Sequence, residues 1–524
     1  MAGARRGGGA VAVGAGILLS RLAGLVRERA IAFYLGNSAA AGAFRAALRI
    51  PNLLQNLLGE GVLSASFIPV YSRLRAQGRD ADAARVARVI ATLLALTASL
   101  ISLIGVFAAG PLVDLIAPGF DGETRDLTVR MVQILFPGVA LLVLSAWCLG
   151  VLNSHRHFFL SYASPVLWNA AIIATAIVGG RRIAGGGGDL AIWLAWGAVI
   201  GSALQLVVQL PAVLRLLRGF RPSLEVNDPE VRATLRTFGP VLLGRGSVQL
   251  SAYLDQFLAS FLGAEIVSTL GYAQIIYLLP VSLFGMAVSA AELPEMSSVD
   301  GDHAAVSAKL QARLKQSLRR VVFLVVPSAV AFVAIGNSIV GLLFQTGHFN
   351  AHDSDAVWIV LAGSAIGLSA GTQGRLLASV FYALGDTKRP LYAALVRVAI
   401  TFVTGVIAVW PLRWALDYGP EWGAFGLTAS AGVAAWVEFL LLKRWLGHRI
   451  GAVPVPGGLG LTALGLACGA GAVAAVTARA AHALHLPGVV GALAAIGVFG
   501  ALYLGGAVLA QIPEVDALTR RLRR

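Results

Sequence analysis

Apolar runs of about 20 residues recur along nearly the whole chain, and this feature limits its fold more than any other. A helix needs about 20 predominantly apolar residues to cross the hydrocarbon layer of a membrane. Hydrophobic residues make up 57% of the 524 residues and charged residues only 13%, whereas about a quarter of a soluble domain is charged. The same composition excludes intrinsic disorder, a disulfide scaffold and a coiled coil. The sequence predicts an all-α, polytopic membrane protein.

Fourteen segments are predicted to span the membrane. They cover residues 10–35, 40–70, 86–110, 127–151, 160–180, 190–214, 236–262, 267–293, 318–344, 356–384, 390–411, 421–442, 456–480 and 488–511. Charge and glycine interrupt the first, second, seventh and eighth of them. Arg5 and Arg6 precede the apolar run 10–19, as they would in a signal peptide, but Arg21 and Arg27 follow that run without a clear small-residue cleavage site. We therefore interpret this run as a retained helix.

The basic residues fall mainly in the loops on one side of this topology. With both termini inside, 27 of the 41 Lys and Arg residues lie in inside loops, tails or the adjoining span ends, six lie in outside loops or the adjoining span ends, and eight lie deeper within spans. Cytoplasmic loops collect Lys and Arg. The net charge of +15 therefore reflects membrane orientation rather than nucleic-acid binding. We expect a multi-pass protein of a bacterial inner (cytoplasmic) membrane with both termini in the cytoplasm.

The two halves of the chain resemble each other at an offset of about 225–232 residues. Ser64–Pro69 matches Ser289–Pro294, and Leu152–Arg156 lies opposite Leu384–Arg389. Two six-helix repeats of the same orientation are predicted, related by an axis along the membrane normal, with the substrate path between them. The expected domains are an N-terminal six-helix bundle (1–220), a second six-helix bundle (221–450) and an extra helix pair with a basic tail (451–524).

Charged residues inside spans are candidate functional residues, since each costs about 2.5–3.5 kcal/mol at the centre of a membrane helix. The basic ones are Arg21, Arg27, Arg29, Arg45, Arg49, Arg245, Arg375 and Arg397. Acidic residues at a similar depth are Glu28, Glu60, Asp255, Glu292, Glu295 and Glu438. Such groups face a wet cavity or one another.

Five of the eight arginines lie in the first two spans. Arg45 and Arg49 are four residues apart and share a helix face, whereas Arg21 and Arg27 diverge by about 120°. Guanidinium groups offer a planar fork of donors that suits a diphosphate or another oxyanion. The alternative interpretation is that some of these arginines reach the lipid headgroups, and the excess of Arg over Lys also reflects general usage in this chain.

Motifs of catalysis or metal binding are not evident. The glycine run 185–188 lacks the Lys-Ser/Thr of a P-loop and is interpreted as a linker. His155 and His157 lie in a basic loop, and Cys148 and Cys468 lie in apolar runs without a metal or redox spacing. We expect no enzyme activity, no cofactor, no metal and no nucleic-acid partner.

Several motifs are specific enough to indicate a family. They are residues 20–28 (SRLAGLVRE), 49–54 (RIPNLL), 59–69 (GEGVLSASFIP), 272–294, 344–349 (FQTGHF) and 381–386 (FYALGD). In these motifs the chain resembles the lipid II flippase family (MurJ, also called MviN), a branch of the multidrug/oligosaccharidyl-lipid/polysaccharide exporter superfamily, over roughly residues 15–445. The resemblance implies fourteen spans and the flipping of undecaprenyl-diphosphate-linked peptidoglycan precursor by alternating access.

The resemblance also implies which residues line the cavity. Basic residues of the family's first, second and eighth spans contact the diphosphate, and the matches here are Arg21, Arg27 and Arg49. Glu28 and Glu60 are the acidic members of this set.

Three positions depart from the family pattern. Gly42 stands where the family often has Asp, and Gln55 and Ile275 stand where it often has Arg. We hypothesise that Arg45 and Arg245 supply replacement charge.

The predicted function is therefore transport of a lipid-linked peptidoglycan precursor in cell-wall biogenesis. Alternatives are a flippase for another polyprenyl-linked glycan, a cation-coupled drug antiporter, and a structural membrane protein. Coupling to H⁺, Na⁺ or the membrane potential is left open, and Asp255, Glu292 and Glu295 are the candidate coupling residues, with structural pairing as their alternative role. Besides the precursor, membrane lipids are the expected partners.

Overall fold

A computed structural model describes residues 2–183, 186–286 and 303–515. Within these ranges it does not describe the side chains of residues 2–14, 60, 240, 243–252, 285–286, 303–306, 413 and 416. The described residues are 87% helical and form no strand. This outcome confirms the all-α class predicted from the apolar runs.

The helices of the first half are separated by short connections, except for residues 217–228, which precede the last of them. They are α1 (Ala2–Leu35), α2 (Ala39–Leu58), α3 (Glu60–Ala76), α4 (Asp80–Phe107), α5 (Ala109–Ile116), α6 (Gly122–Ser154), α7 (Phe158–Ala163), α8 (Pro165–Arg182), α9 (Gly187–Leu216) and α10 (Pro229–Ser260).

The described residues of the second half are also mainly helical. Its helices are α11 (Ala264–Pro280) with a π-helical extension (Val281–Met286), α12 (His303–Ala334), α13 (Gly336–Phe344), α14 (Ala351–Ala383), α15 (Lys388–Val409), α16 (Pro411–Leu416), α17 (Pro420–Ile450), α18 (Gly457–Ala483) and α19 (Gly488–Leu509).

Local chemistry explains where several helices begin. The Ser38 side chain accepts a hydrogen bond from Ala41 N (3.3 Å) at the start of α2, and Asp228 caps α10 just before Pro229. Asn350 and Asp353 form a reciprocal capping box at the start of α14. These side chains satisfy backbone N–H groups that have no partner within the helix. Gly59 ends α2 and divides the second predicted span into two helices.

Twelve helical segments in the described part of the chain are long and apolar enough to cross a membrane. Each corresponds to one of the fourteen predicted spans. The other two predicted spans, 10–35 and 236–262, coincide with α1 and α10, which have 34 and 32 residues. Both helices contain residues whose side chains are not described, 2–14 in α1 and 240 and 243–252 in α10, and the twelve segments are drawn from the described residues alone. The multi-pass architecture is therefore confirmed, and the count of fourteen stays a prediction.

The chain divides into two compact units. The first contains residues 1–268 and 346–349, and the second contains residues 269–345 and 350–524. Compactness does not define a repeat, so the predicted boundaries at 220 and 450 and the two-repeat topology remain predictions.

In the first unit, α6 is the central helix and packs against α2, α3, α4 and α9. Helix α1 packs along α7 and α8, and α10 packs against α3. Small residues allow close approach: a Cβ at Gly105 would lie 2.0 Å from the Phe136 ring. A buried polar chain also joins α6 to α9, since the Gln205 side-chain amide donates to Ser145 Oγ (2.9 Å). Small and hydrogen-bonding residues of this kind stabilise helix contacts in lipid.

In the second unit, α17 packs against α14 and α15, and α12 packs against α14 and α18. Gly367 and Gly432 bring α14 and α17 together, because a Cβ on Gly367 would lie 2.4 Å from Gly432 Cα. Tyr503 of α19 donates a hydrogen bond from its hydroxyl to Phe323 O of α12 (2.6 Å). The last helix pair is thereby fixed to the unit.

Loops predicted to be inside converge at one end of the first unit. Arg85 Nη1 lies 3.3 Å from an Asp228 carboxylate oxygen, and Arg73 pairs with Glu230. Arg75 Nη1 donates to Ser154 O (2.8 Å). Burial, together with the nearby Arg75 charge, lowers the pKa of His155 to about 4. His155 is therefore neutral near pH 7, and its Nε2 lies 2.9 Å from the Tyr71 hydroxyl.

The second unit shows the same convergence. Arg449 at the end of α17 pairs with Asp386 (3.3 Å) in the loop before α15. Arg319 of α12 forms two hydrogen bonds with Glu514, which follows α19. Within each unit, loops assigned to one side by their basic residues thus lie at one end.

This convergence predicts the labelling pattern of single cysteines in a Cys148→Ala, Cys468→Ala background. Arg156→Cys and Arg221→Cys should react with a membrane-impermeant maleimide only after cells are permeabilised. Arg181→Cys, at the far end of α8, should react in intact cells. Labelling of all three from one side would contradict the topology.

Candidate substrate site

Helices α1 and α2 form an antiparallel hairpin that brings charged residues to the same depth. The turn between Leu35 and Ala39 is short, and Gly36 adopts a positive φ of 63° there. Glu28 lies seven residues before the end of α1, and Arg45 lies six residues after the start of α2. At 1.5 Å per residue, both lie about 10 Å from the turn. The sequence spacing alone therefore places the Glu28 carboxylate opposite the Arg45 guanidinium group.

Glu28 is the acceptor at the centre of the site, and it is only 6% exposed. Its Oε2 accepts a hydrogen bond from Arg45 Nη2 (2.8 Å). Its Oε1 accepts from Arg27 Nε (3.2 Å), and also from Arg27 Nη2. Both carboxylate oxygens are thus bonded to guanidinium groups from two different helices. A buried charge requires this kind of pairing.

Helix α8 holds Arg27 from the other side. Arg27 Nη1 donates to the Asn169 side-chain oxygen (3.0 Å), and Asn169 is buried. The guanidinium carbon lies 4.9 Å from the centre of the Trp168 ring, a cation–π distance. The Asn169 amide in turn donates to Pro165 O (3.0 Å), which fixes the direction of its oxygen. Arg27 is therefore oriented by a carboxylate, an amide and an indole ring.

Arg49 lies one helical turn beyond Arg45 on the same face of α2. Its guanidinium carbon lies 5.5 Å from the centre of the Tyr253 ring of α10. The Tyr253 hydroxyl donates to Arg49 O (3.0 Å). Arg27, Arg45 and Arg49 are all half-buried. The first unit therefore brings together three of the predicted arginines and Glu28, with contributions from α1, α2, α8 and α10.

Among the remaining predicted residues, the structure describes the side chains of Arg21 and Asp255. Arg21 is exposed on α1, and it has no ion-pair partner among the described residues. Asp255 is half-buried on α10. Glu292 and Glu295 lie outside the described residues, as do the side chains of Glu60 and Arg245.

Gly42 marks a close approach of α2 to the start of α11. A Cβ at Gly42 would lie 1.8 Å from Ala264 O and 2.5 Å from Ala264 C. No side chain fits that distance, so this backbone contact excludes an aspartate at position 42. Gln55 and Ile275, the other departures from the family pattern, are half-buried.

Sequence analysis did not identify Trp168, Asn169 or Tyr253 as site residues. Asn169 interrupts an otherwise apolar stretch of the fifth predicted span, and that interruption was the available signal. Trp168 and Tyr253 resemble ordinary membrane aromatics in sequence. Only the approach of α8 to α1 and of α10 to α2 places them beside arginines.

The arrangement of charges at this site could accommodate an anion. Two guanidinium groups share one carboxylate, so the trio Arg27–Glu28–Arg45 has one net positive charge, and Arg49 adds another nearby. The described residues contain no group of three or more His, Cys, Asp or Glu side chains suited to a metal ion. Planar, fixed donors of this type recognise phosphate oxygens.

Comparison with known proteins identifies a family that this chain matches. The family model described as lipid II flippase MurJ matches residues 31–499. The lipid II flippase MurJ of Burkholderia cenocepacia is 34% identical over 450 residues, which are 84% of this chain and 84% of that protein. A probable lipid II flippase MurJ of Bdellovibrio bacteriovorus is 31% identical over 437 residues, covering 82% and 80% of the two chains.

Solved structures show a similar fold. A lipid II flippase MurJ in an inward closed conformation aligns with a TM-score of 0.74 and 20% identity, covering 98% of this chain and all of that one. An inward-facing multidrug transporter of the MATE family aligns with a TM-score of 0.64 and 18% identity, covering 84% and 96%. At these identities the structural similarity concerns the fold alone.

Removal of the central carboxylate should destabilise the first unit. Glu28→Gln leaves two partly buried guanidinium groups without their shared counter-ion, and breaking a buried pair costs about 3–5 kcal/mol. The thermal midpoint of the purified protein should fall clearly. The matched control is Asp114→Asn, which breaks the exposed Asp114–Arg125 pair, worth about 0–1 kcal/mol. Equal midpoints for the two variants would contradict the central role of Glu28.

The close approach at Gly42 generates a second prediction. Gly42→Asp and Gly42→Ala should both reduce the yield of folded protein, because either Cβ overlaps Ala264 O. Gly447→Ala is the control, since nothing lies within 4 Å of a Cβ there and alanine favours a helix by about 1 kcal/mol. Size-exclusion profiles and thermal midpoints measure the difference. A stable Gly42→Asp protein would show that α2 and Ala264 are not held this closely.

Proposed function

The chain belongs to the lipid II flippase family, and from this premise we propose that its Arg27–Glu28–Arg45 trio, with Arg49, receives the diphosphate of undecaprenyl-diphosphate-linked peptidoglycan precursor. The protein then moves the precursor across a bacterial inner membrane by alternating access. This is transport in peptidoglycan biosynthesis rather than catalysis.

The observation that supports this proposal most is the buried Glu28 carboxylate between two arginines. In an empty cavity at bilayer depth, several guanidinium groups would repel one another, and each charge would lack solvation. Glu28 supplies the missing negative charge while substrate is absent. It also keeps Arg27 and Arg45 in one orientation, so their donors are arranged before the diphosphate arrives.

Substrate entry is then an exchange of anions. A diphosphate offers more acceptor oxygens and more negative charge than one carboxylate, so it can draw Arg45 away from Glu28. Arg49, one turn along the same face of α2, extends the positive surface that the second phosphate meets. Because Glu28 competes for the same arginines, it also assists release after reorientation.

The sign of the charge favours this substrate class over a cationic drug. A site for drug cations needs acidic residues, whereas the described part of this site has three arginines and one glutamate. The similarity to a multidrug transporter concerns the fold and carries no information about the substrate. Another polyprenyl-diphosphate-linked glycan would satisfy the same arginines, so the sugar and peptide contacts decide between such substrates.

Arg45 is proposed to replace charge that the family usually places elsewhere on α2. Gly42 has no room for a side chain, and Arg45 lies three residues later, on nearly the same face. Its contact with Glu28 supports this role. Arg245 is the second proposed replacement.

The energy source is proposed to act through the same charges. Moving one elementary charge through 100 mV is worth about 2.3 kcal/mol, so the membrane potential can bias a site with net positive charge. Asp255, Glu292 and Glu295 are the proposed sites for H⁺ or Na⁺, if an ion contributes. The convergence of basic loops at one end of each unit supports cytoplasmic termini.

Transport is tested by depletion of the host's own flippase in cells that express this chain. Wild-type protein should restore growth and the exposure of precursor on the outer surface. Arg45→Gln and Arg49→Gln should each reduce that exposure at least tenfold, and Arg45→Lys should lie between, because lysine keeps the charge but loses the planar fork.

Arg375→Gln is the matched control, since Arg375 is also an intramembrane arginine but belongs to α14 and is not one of the four proposed site residues. It should sustain wild-type exposure at equal expression. Full activity in both α2 variants would contradict the proposed site. A wild-type chain that fails to restore exposure would contradict the function itself.

A further inference from the structure

A groove of about 580 Å³ runs between α8 and α9, away from the arginine site. Its walls include Ala174 and Val178 of α8 and Trp193, Trp196 and Ile200 of α9. Both tryptophans are 51% exposed and Ile200 is 53% exposed. This volume is typical of a ligand site, and its lining suits a hydrocarbon chain.

The groove does not belong to the arginine site. Val178 lies nine residues after Asn169, and at about 100° per residue the two point in opposite directions from α8. Asn169 faces Arg27 of α1. Val178 and the groove therefore lie on the opposite side of α8, where an exposed apolar surface at bilayer depth meets lipid.

The floor of the groove is closed and apolar. Gly197 allows α9 to approach α8, since a Cβ there would lie 2.4 Å from Thr175 Oγ1. The Thr175 hydroxyl donates to Ala171 O (2.7 Å), so its proton is already used within the helix. The groove thus offers little polar contact to a ligand except at its end.

Charged residues continue the two walls at the end of the groove nearest the α8–α9 connection. Arg181 and Arg182 follow Val178 by three and four residues on α8, and Asp189 precedes Trp193 by four residues on α9, so each shares a face with the groove. All three are exposed. None of them forms an ion pair with any residue in 2–183, 186–286 or 303–515, so their charges are open to a ligand.

We propose that this groove binds a phospholipid with a primary-amine headgroup, namely phosphatidylethanolamine. One acyl chain lies in the groove against Trp193 and Trp196. The phosphate meets Arg181 and Arg182, and the ammonium group donates hydrogen bonds to Asp189. By the predicted topology, this lipid sits in the non-cytoplasmic leaflet.

The arrangement of charges selects this headgroup among phospholipids. Phosphatidylglycerol has a phosphate for the arginines but no cation for Asp189. Phosphatidylcholine has a cation, but its three methyl groups replace the N–H donors. Only the amine headgroup satisfies both signs of charge with hydrogen bonds.

Native mass spectrometry of the delipidated full-length protein tests the proposal. The protein is mixed with equal amounts of phosphatidylethanolamine, phosphatidylcholine and phosphatidylglycerol of identical acyl chains. The first lipid retained should be phosphatidylethanolamine, about fivefold above either competitor. This is the difference expected for one ion pair at an exposed site in the case of phosphatidylglycerol, and for one hydrogen bond in the case of phosphatidylcholine.

Two variants locate the selectivity. Asp189→Asn should reduce the preference for phosphatidylethanolamine over phosphatidylcholine to about one. Arg181→Gln together with Arg182→Gln should lower retention of all three lipids several-fold. Arg479→Gln, an exposed arginine near the end of α18, is the control and should match wild type, and all variants should keep the wild-type thermal midpoint.

Equal retention of the three lipids by wild type would overturn the proposal, as would a preference for phosphatidylglycerol. An unchanged preference in Asp189→Asn would place the selective site elsewhere and would also overturn it. These results do not depend on transport, so they are independent of the proposed flippase site.

Discussion

The contact of Glu28 with Arg27 and Arg45 is the interaction on which the proposed site depends. Charges at bilayer depth are costly unless they are paired or solvated, and this carboxylate pairs two of them at once. Both of its oxygens bond to guanidinium groups. The pairing lets a strongly basic hairpin exist within the membrane while leaving net positive charge for an anion.

Neighbouring helices convert this pairing into a fixed geometry. Asn169 and Trp168 orient Arg27 from α8, and Tyr253 orients Arg49 from α10. These contacts reduce the freedom of long side chains before a ligand binds, which lowers the entropic cost of recognition. The close backbone approach at Gly42 limits how the helices can shift around them.

Much of this arrangement can be predicted from the sequence, whereas the rest depends on how distant helices pack. The apolar runs predicted the helices because each helix must be long enough to cross a lipid layer. The short turn after Leu35 would have been sufficient to pair Glu28 with Arg45. Asn169 and Tyr253 could not be identified as site residues, because helix periodicity does not say which distant helices meet. For the same reason, the family's usual aspartate at Gly42 could not be excluded until the position of Ala264 was known.

The most direct test measures binding of undecaprenyl diphosphate to Glu28→Gln, Arg45→Gln and the double variant. The trio carries one net positive charge in wild type, none in Arg45→Gln, two in Glu28→Gln, and one again in the double variant. If Glu28 is the internal counter-ion that the diphosphate displaces, Arg45→Gln should weaken binding and the added Glu28→Gln should restore much of it. A double variant that binds as weakly as Arg45→Gln alone would contradict this role of Glu28.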